Sequence, residues 1–119
     1  MRNKIALEEH FATDLTIDQS KAYAPPEFWP RLKANLLDIE QQRLERMEEG
    51  GTSYSILSLN SPGIQALHDP RNAIDVARRA NDTLAESVSR HPSKLGGFAA
   101  LPMQDPDAAA DMPPFYPWW

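Results

Sequence analysis

The 119-residue sequence has no cysteine, which excludes disulfides and thiolate metal ligands and leaves any metal site to histidine, aspartate and glutamate. It also lacks any run approaching the ~20 apolar residues of a membrane span. The opening Met-Arg-Asn-Lys-Ile has no sustained apolar core of the kind a secretory leader needs. The expectation is a soluble cytoplasmic protein with no membrane partner. Basic clusters are missing too: 12 Lys and Arg stand against 17 Asp and Glu, a net charge of −5, so the electrostatic footprint of a nucleic-acid binder is absent. Histidine is scarce, only His10, His68 and His91. The length suits one domain with a buried core but falls well short of the ~250 residues of a closed (β/α)8 barrel.

What is present centres on residues 5–11, Ile-Ala-Leu-Glu-Glu-His-Phe. Ile5, Leu7 and Phe11 predict a buried strand, yet Glu8, Glu9 and His10 interrupt it. In an extended chain residues two apart share a face, so Glu8 and His10 project together and Glu9 projects the other way. One carboxylate oxygen and one imidazole nitrogen suit zinc and its neighbours, at ~2.0–2.2 Å from the ion. Further ligands must then come from elsewhere. A solvated strand end fits the same triplet. Its position favours function, because the triplet closes the first apolar run and parallel α/β folds build their sites at strand C-terminal ends.

The rest of the chain alternates strands and helices. Residues 12–26 read as a long βα loop. Residues 27–49 carry Leu32, Leu36, Ile39 and Met47 at helical spacing, which predicts one helix with room for a single break, stopped by Gly50 and Gly51. Asp38, Arg43, Glu48 and Glu49 read as its solvated face or end charges. Residues 52–60 form a second predicted strand, ending in the turn Asn60-Ser61-Pro62-Gly63. Asp69-Pro70 reads as N-cap and first helical residue, followed by a face of Ala73, Ile74, Ala77, Ala80, Leu84 and Val88. The apolar run 95–103 predicts a third strand covered on both faces. Asp105 and Asp107 read as helix-start acids, and His68 and His91 as surface loop residues. After Asp111, three prolines and four aromatics have neither helix nor strand period.

Four blocks, Lys4-Ile5-Ala6-Leu7-Glu8-Glu9-His10-Phe11, Ile56-Leu57-Ser58-Leu59-Asn60-Ser61-Pro62-Gly63, Ala77-Arg78-Arg79-Ala80-Asn81-Asp82 and Phe98-Ala99-Ala100-Leu101-Pro102-Met103-Gln104-Asp105-Pro106, occur in order along the chain. On these blocks it resembles the N-terminal part of the metal-dependent aromatic acid decarboxylases of the amidohydrolase superfamily, the γ-resorcylate and 2,3-dihydroxybenzoate decarboxylase group. The resemblance implies an α/β fold that is the N-terminal portion of a (β/α)8 TIM barrel, about three β/α units with the barrel incomplete. It implies one divalent ion, zinc or manganese, with Glu8 and His10 as first-strand ligands. Tyr23 falls where the family has an aromatic residue near the substrate, and Asn60 and Ser61 lie at the mouth end of the second strand as candidate substrate contacts. The implied chemistry is nonoxidative decarboxylation of a hydroxybenzoate, a small aromatic carboxylic acid.

In that group the proton donor and the remaining ligands lie on later strands, so this chain is expected to hold no catalytic acid and to be inactive alone. Residues 1–111 are expected to form the partial barrel and 112–119 a divergent aromatic, proline-rich tail. Two other readings stand beside it: a segment of a hydrolase whose metal activates water, or a noncatalytic interaction protein. Association as a homo-oligomer or with a complementary barrel portion is expected from an open sheet edge.

Overall fold

A computed structural model describes residues 2–112 and, in main chain, the pair Phe115–Tyr116; the other residues of the expected tail lie outside this description. Strand β1 (Lys4–Phe11) is followed by a 3-10 helix (Ile17–Tyr23), helices α1 (Trp29–Leu37) and α2 (Gln41–Gly50), and strand β2 (Thr52–Leu59). A second 3-10 turn (Gly63–Ala66), helix α3 (Pro70–Arg90), strand β3 (Leu95–Phe98), helix α4 (Pro106–Ala110) and the short β4 (Phe115–Tyr116) complete it. The sheet order is β1-β2-β3-β4; the first three strands are parallel and β4 runs antiparallel to β3. The chain is thus an α/β structure around a three-stranded parallel sheet.

The α3 boundaries follow the expected chemistry. The Asp69 carboxylate accepts from the Arg71 and Asn72 amides, and Pro70 takes the first position, where its missing N–H costs nothing. The helix expected over 27–49 is instead two helices. Asp38 is extended, and its carboxylate accepts from the Gln41 and Gln42 amides at 2.8 and 3.0 Å. An aspartate that captures nearby amides competes with the helical ladder and restarts it in a new direction. Helix α2 ends at Gly51, whose φ of 71° is left-handed and disfavoured for residues with a Cβ.

Helices α2 and α3 pack on one sheet face through Phe11, Ile39, Met47, Leu57, Leu84, Val88 and Leu95. Alanines 73, 77 and 80 let α3 approach closely, all fully buried. Gly97 completes that approach: a Cβ there would lie 2.9 Å from Leu84 Cγ, inside any normal contact. Gly97→Ala is therefore expected to destabilise the chain by about 1–3 kcal/mol through overpacking, read as a lower urea midpoint with unchanged slope.

The other sheet face is open. Strand partners share a face, and Ser55, Leu57 and Leu95 lie on the helix side, so Ile56 with Gly96 and His10 with Ser58 lie opposite. The expectation that Ile5 and Leu7 are buried is overturned: both are 63% exposed. The 19 Å thinnest extent fits one sheet plus one helix layer, so no second layer covers that face among the described residues.

Strand β3 is also shorter than the apolar run predicted. After Phe98 the chain leaves the sheet because Asn81 on α3 takes both main-chain groups of Ala100, accepting from its N–H at 2.7 Å and donating to its carbonyl at 3.0 Å. Phe115 and Tyr116 pair with Phe98 and Gly97 despite the absence of a strand period, since two-residue pairing uses main chain alone.

His91 is not a plain loop residue. It caps α3, and its Nε2 lies 3.0 Å from Glu40 Oε2, while the Arg90 guanidinium donates to Glu40 Oε1. Hydrogen bonds from Arg90, opposed by burial and aided by Ser87 and His91, hold the Glu40 carboxyl down at about 2 from an ordinary 4.5. A depressed acid stabilises the fold fully above its unfolded pKa, and that contribution disappears as pH falls through the folded one. Wild type is therefore expected to lose more stability than Glu40→Gln between pH 4.5 and 2, measured as urea midpoints across that window.

Candidate functional site

The ladder between β1 and β2 is irregular at two places, between Lys4 and Ile5 and between Ala6 and Glu9. Ala6 pairs with Ser55 and Glu9 with Leu57, so three steps on β1 match two on β2. This is a β-bulge at Leu7–Glu8, and it re-aims the strand where the donor pair begins. The simple alternation expected between Glu8 and His10 thus starts inside an irregularity. From Glu9 onward the pattern is clean: Glu9 and Phe11 face the helices, while His10 faces the open side beside Ser58. Glu8, Glu9 and His10 are all exposed and border one open cleft of about 410 Å³, bounded opposite by Asn35, Asp38 and Arg43.

Arg43 is not on a solvated face, as its helical position suggested. Its side chain is 13% exposed. Nη2 donates to the His10 carbonyl at 2.6 Å, Nε donates to the Asp38 carbonyl at 3.3 Å, and Nη1 lies 3.5 Å from Glu9 Oε2. Burial pushes the guanidinium pKa down, with Glu9 and Asp38 opposing the change.

One carboxylate and one imidazole fit two positions of a divalent-metal shell. Among the described residues no group of three or more His, Asp or Glu side chains gathers to hold an ion. His68 is exposed ahead of α3, His91 sits where α3 leads into β3 and so belongs to the opposite end of the sheet, and the Asp105 carboxylate is engaged by the Ala108 amide at 3.0 Å. A full shell needs donors from beyond the described residues.

The candidate substrate residues are placed unequally. The Asn60 amide donates to the Phe11 carbonyl at 2.8 Å, which sets the β2 turn beside the end of β1. Asn60 Nδ2 donates to Ser20 Oγ at 2.8 Å and to the Ser61 carbonyl at 3.1 Å, and Ser20 Oγ donates to that same carbonyl at 3.3 Å. Asn60 and Ser61 therefore stitch the loop after β1 to the turn after β2. Tyr23 ends the first 3-10 helix, 78% exposed and outside the cleft lining.

Sequence reasoning assigned Arg43 to the solvated face and passed over Asn81 and Gln104 as individual side chains. Gln104 Nε2 donates to the carbonyls of Ile64 and Leu67 at 2.7 and 2.6 Å, tying the loop after β3 to the turn after β2. Asn81 carried a signal: it is a polar residue on the apolar stripe of Ala77, Leu84 and Val88, where only a hydrogen-bonded side chain is tolerated.

No protein-family model matches the chain. It is 52% identical over 111 residues to the gamma-resorcylate decarboxylase of Rhodococcus jostii (strain RHA1), a match spanning 93% of this chain and 34% of that relative. Among solved structures, a 2,6-dihydroxybenzoate decarboxylase complexed with 2,6-dihydroxybenzoate superposes with a TM-score of 0.90 at 50% identity, covering 93% of this chain and 34% of that one. A dihydroxybenzoic acid decarboxylase from Polaromonas sp. JS666, with bound manganese and the inhibitor 2-nitroresorcinol, gives 0.88 at 53%, covering 92% and 33%. The chain spans about a third of the length of these relatives.

Proposed function

We infer, for a chain homologous over nine-tenths of its length to hydroxybenzoate decarboxylases of the amidohydrolase superfamily, that it forms the first three β/α units of such a (β/α)8 barrel and carries the first-strand half of its metal site. Residues 1–111 are the barrel segment and 112–119 the divergent tail. The observation that carries the reading is the 52% identity across 111 residues; Glu8 and His10 lie toward the C-terminal end of β1.

In this reading Glu8 contributes a carboxylate oxygen and His10 an imidazole nitrogen to the ion. A divalent ion, manganese as in the Polaromonas structure, supplies Lewis-acid charge toward the carboxylate and ortho-hydroxyl of a hydroxybenzoate. Zinc suits the same donor pair. Asn60 and Ser61 shape the rim of the site through the loop stitch, and Tyr23 offers an aromatic face to the ring. The reaction converts the substrate carboxylate to carbon dioxide while a protein acid protonates the ring carbon. That acid comes from a later strand, and the 119-residue chain alone is inactive. A cytoplasmic location belongs to the same proposal; no described helix is long and apolar enough to cross a membrane.

The test is elemental analysis of the purified chain after gel filtration, paired with a carbon dioxide release assay on 2,6-dihydroxybenzoate. Metal well below one equivalent and no release are expected. Equimolar tightly held metal, or release, overturns the half-site reading. The open sheet face with Ile5 and Leu7 favours a second reading, a noncatalytic module that pairs with another copy or with a complementary barrel portion. Defined oligomers that survive both metal removal and Glu8→Ala would select it.

A further inference from the structure

Among the described residues strand β1 has one neighbour, β2, so alternate peptide groups along it turn toward the other edge. The Phe11 carbonyl turns toward β2 and accepts the Asn60 amide. The preceding carbonyl, that of His10, therefore turns to the other edge, and there Arg43 Nη2 meets it at 2.6 Å. The anchor falls two residues after the Leu7–Glu8 bulge, which locally disrupts the ladder.

We propose that Arg43 is a positioning residue for the metal-donor pair: its guanidinium fixes the bulged end of β1 so that Glu8 and His10 are presented to one ion. The proposal rests on the reading of Glu8 and His10 as ligands, and it assigns Arg43 no contact with metal or substrate. Three features support it. The guanidinium is itself held, by the Asp38 carbonyl and the Glu9 carboxylate, so it acts as a fixed post rather than a flexible tether. The Asp38 carboxylate also accepts from the first two amides of α2, which makes the post continuous with a helix start. The planar fork of five donors serves a strand carbonyl, a loop carbonyl and a carboxylate at once, which a lysine ammonium on a flexible stem cannot reproduce. Glu9, facing the helices between the two donors, thereby has a role of its own: it binds the post and not the ion.

The test uses the isotope-labelled 119-residue chain titrated with Mn2+ alone, read by paramagnetic broadening of the Glu8 carboxyl and His10 imidazole NMR signals. In wild type the two signals are expected to broaden together. In Arg43→Lys and Arg43→Gln the Mn2+ needed is expected to rise about tenfold, the usual scale for losing a group that orients a ligand, and the two signals are expected to broaden separately. The amide signals of α3 and β3 report folding. If Arg43→Gln loses their dispersion, Arg43→Lys, which keeps charge and stem, decides. Broadening in the folded Arg43 variants that matches wild type overturns the positioning role. Glu8→Gln separates the two levels: if it leaves the broadening unchanged, the ligand assignment itself fails, whatever Arg43 does.

Discussion

Asn81→Leu is expected to cost the chain about 2–4 kcal/mol, although the substitution keeps the branched heavy-atom skeleton and adds apolar surface to a buried helix face. Asn81 is 3% exposed, and its amide satisfies both the N–H and the carbonyl of Ala100. Leucine leaves those two main-chain groups of the half-buried Ala100 without their Asn81 partner, and each unsatisfied buried group carries a penalty of roughly 1–3 kcal/mol. The gain from a leucine methyl or two does not offset that. Equilibrium urea unfolding gives the loss, and amide exchange at Ala100 locates it: exchange there accelerates more than at the α3 amides. A loss under about 1 kcal/mol would mean that the Asn81–Ala100 contacts are replaceable. Because this clamp turns the chain out of β3, its removal is also expected to loosen the loop that Gln104 ties to Ile64 and Leu67.

In a complete barrel carrying this segment, Glu8→Ala and His10→Ala are each expected to lower manganese affinity by more than about 100-fold, because even a partner that only orients a ligand is worth ~10–100-fold. The metal-free protein is expected to keep its stability within about 0.5 kcal/mol, since in this chain both side chains are exposed and neither belongs to a core cluster. Metal content after gel filtration, with a thermal or urea melt of the metal-free form, separates the two quantities. Undiminished metal in both variants would remove the site assignment. A stability loss equal to that of Gly97→Ala would instead give the pair a structural role.

The two sets of predictions differ in how far the sequence anticipates them. Asp69-Pro70 with its alanine-rich stripe announces α3 because cap, proline and periodicity are properties of neighbouring residues. The parallel order of β1, β2 and β3 follows similarly from strands separated by helical segments. The single helix expected over 27–49 fails at Asp38, where a side chain competes for amides that periodicity assigns to the ladder. The long third strand fails at Ala100, whose hydrogen-bond partners lie nineteen positions away on α3.

The candidate site divides along the same line. The sequence by itself determined which candidate donors exist: with no cysteine and three histidines, Glu8 and His10 are the proposed oxygen and nitrogen pair at the end of the first strand. It also determined the cap and stripe of α3 and the alternation that makes the sheet parallel. Only the tertiary structure decided how the donors are presented. The bulge at Leu7–Glu8 depends on register with β2, and the partner of the His10 carbonyl is Arg43, 33 residues away. Local patterning registers the faces of one element; it contains no information about which distant side chain reaches a main-chain group left open at an edge. That choice is made when the chain packs, because a buried guanidinium and an edge carbonyl each carry a desolvation cost that their pairing offsets.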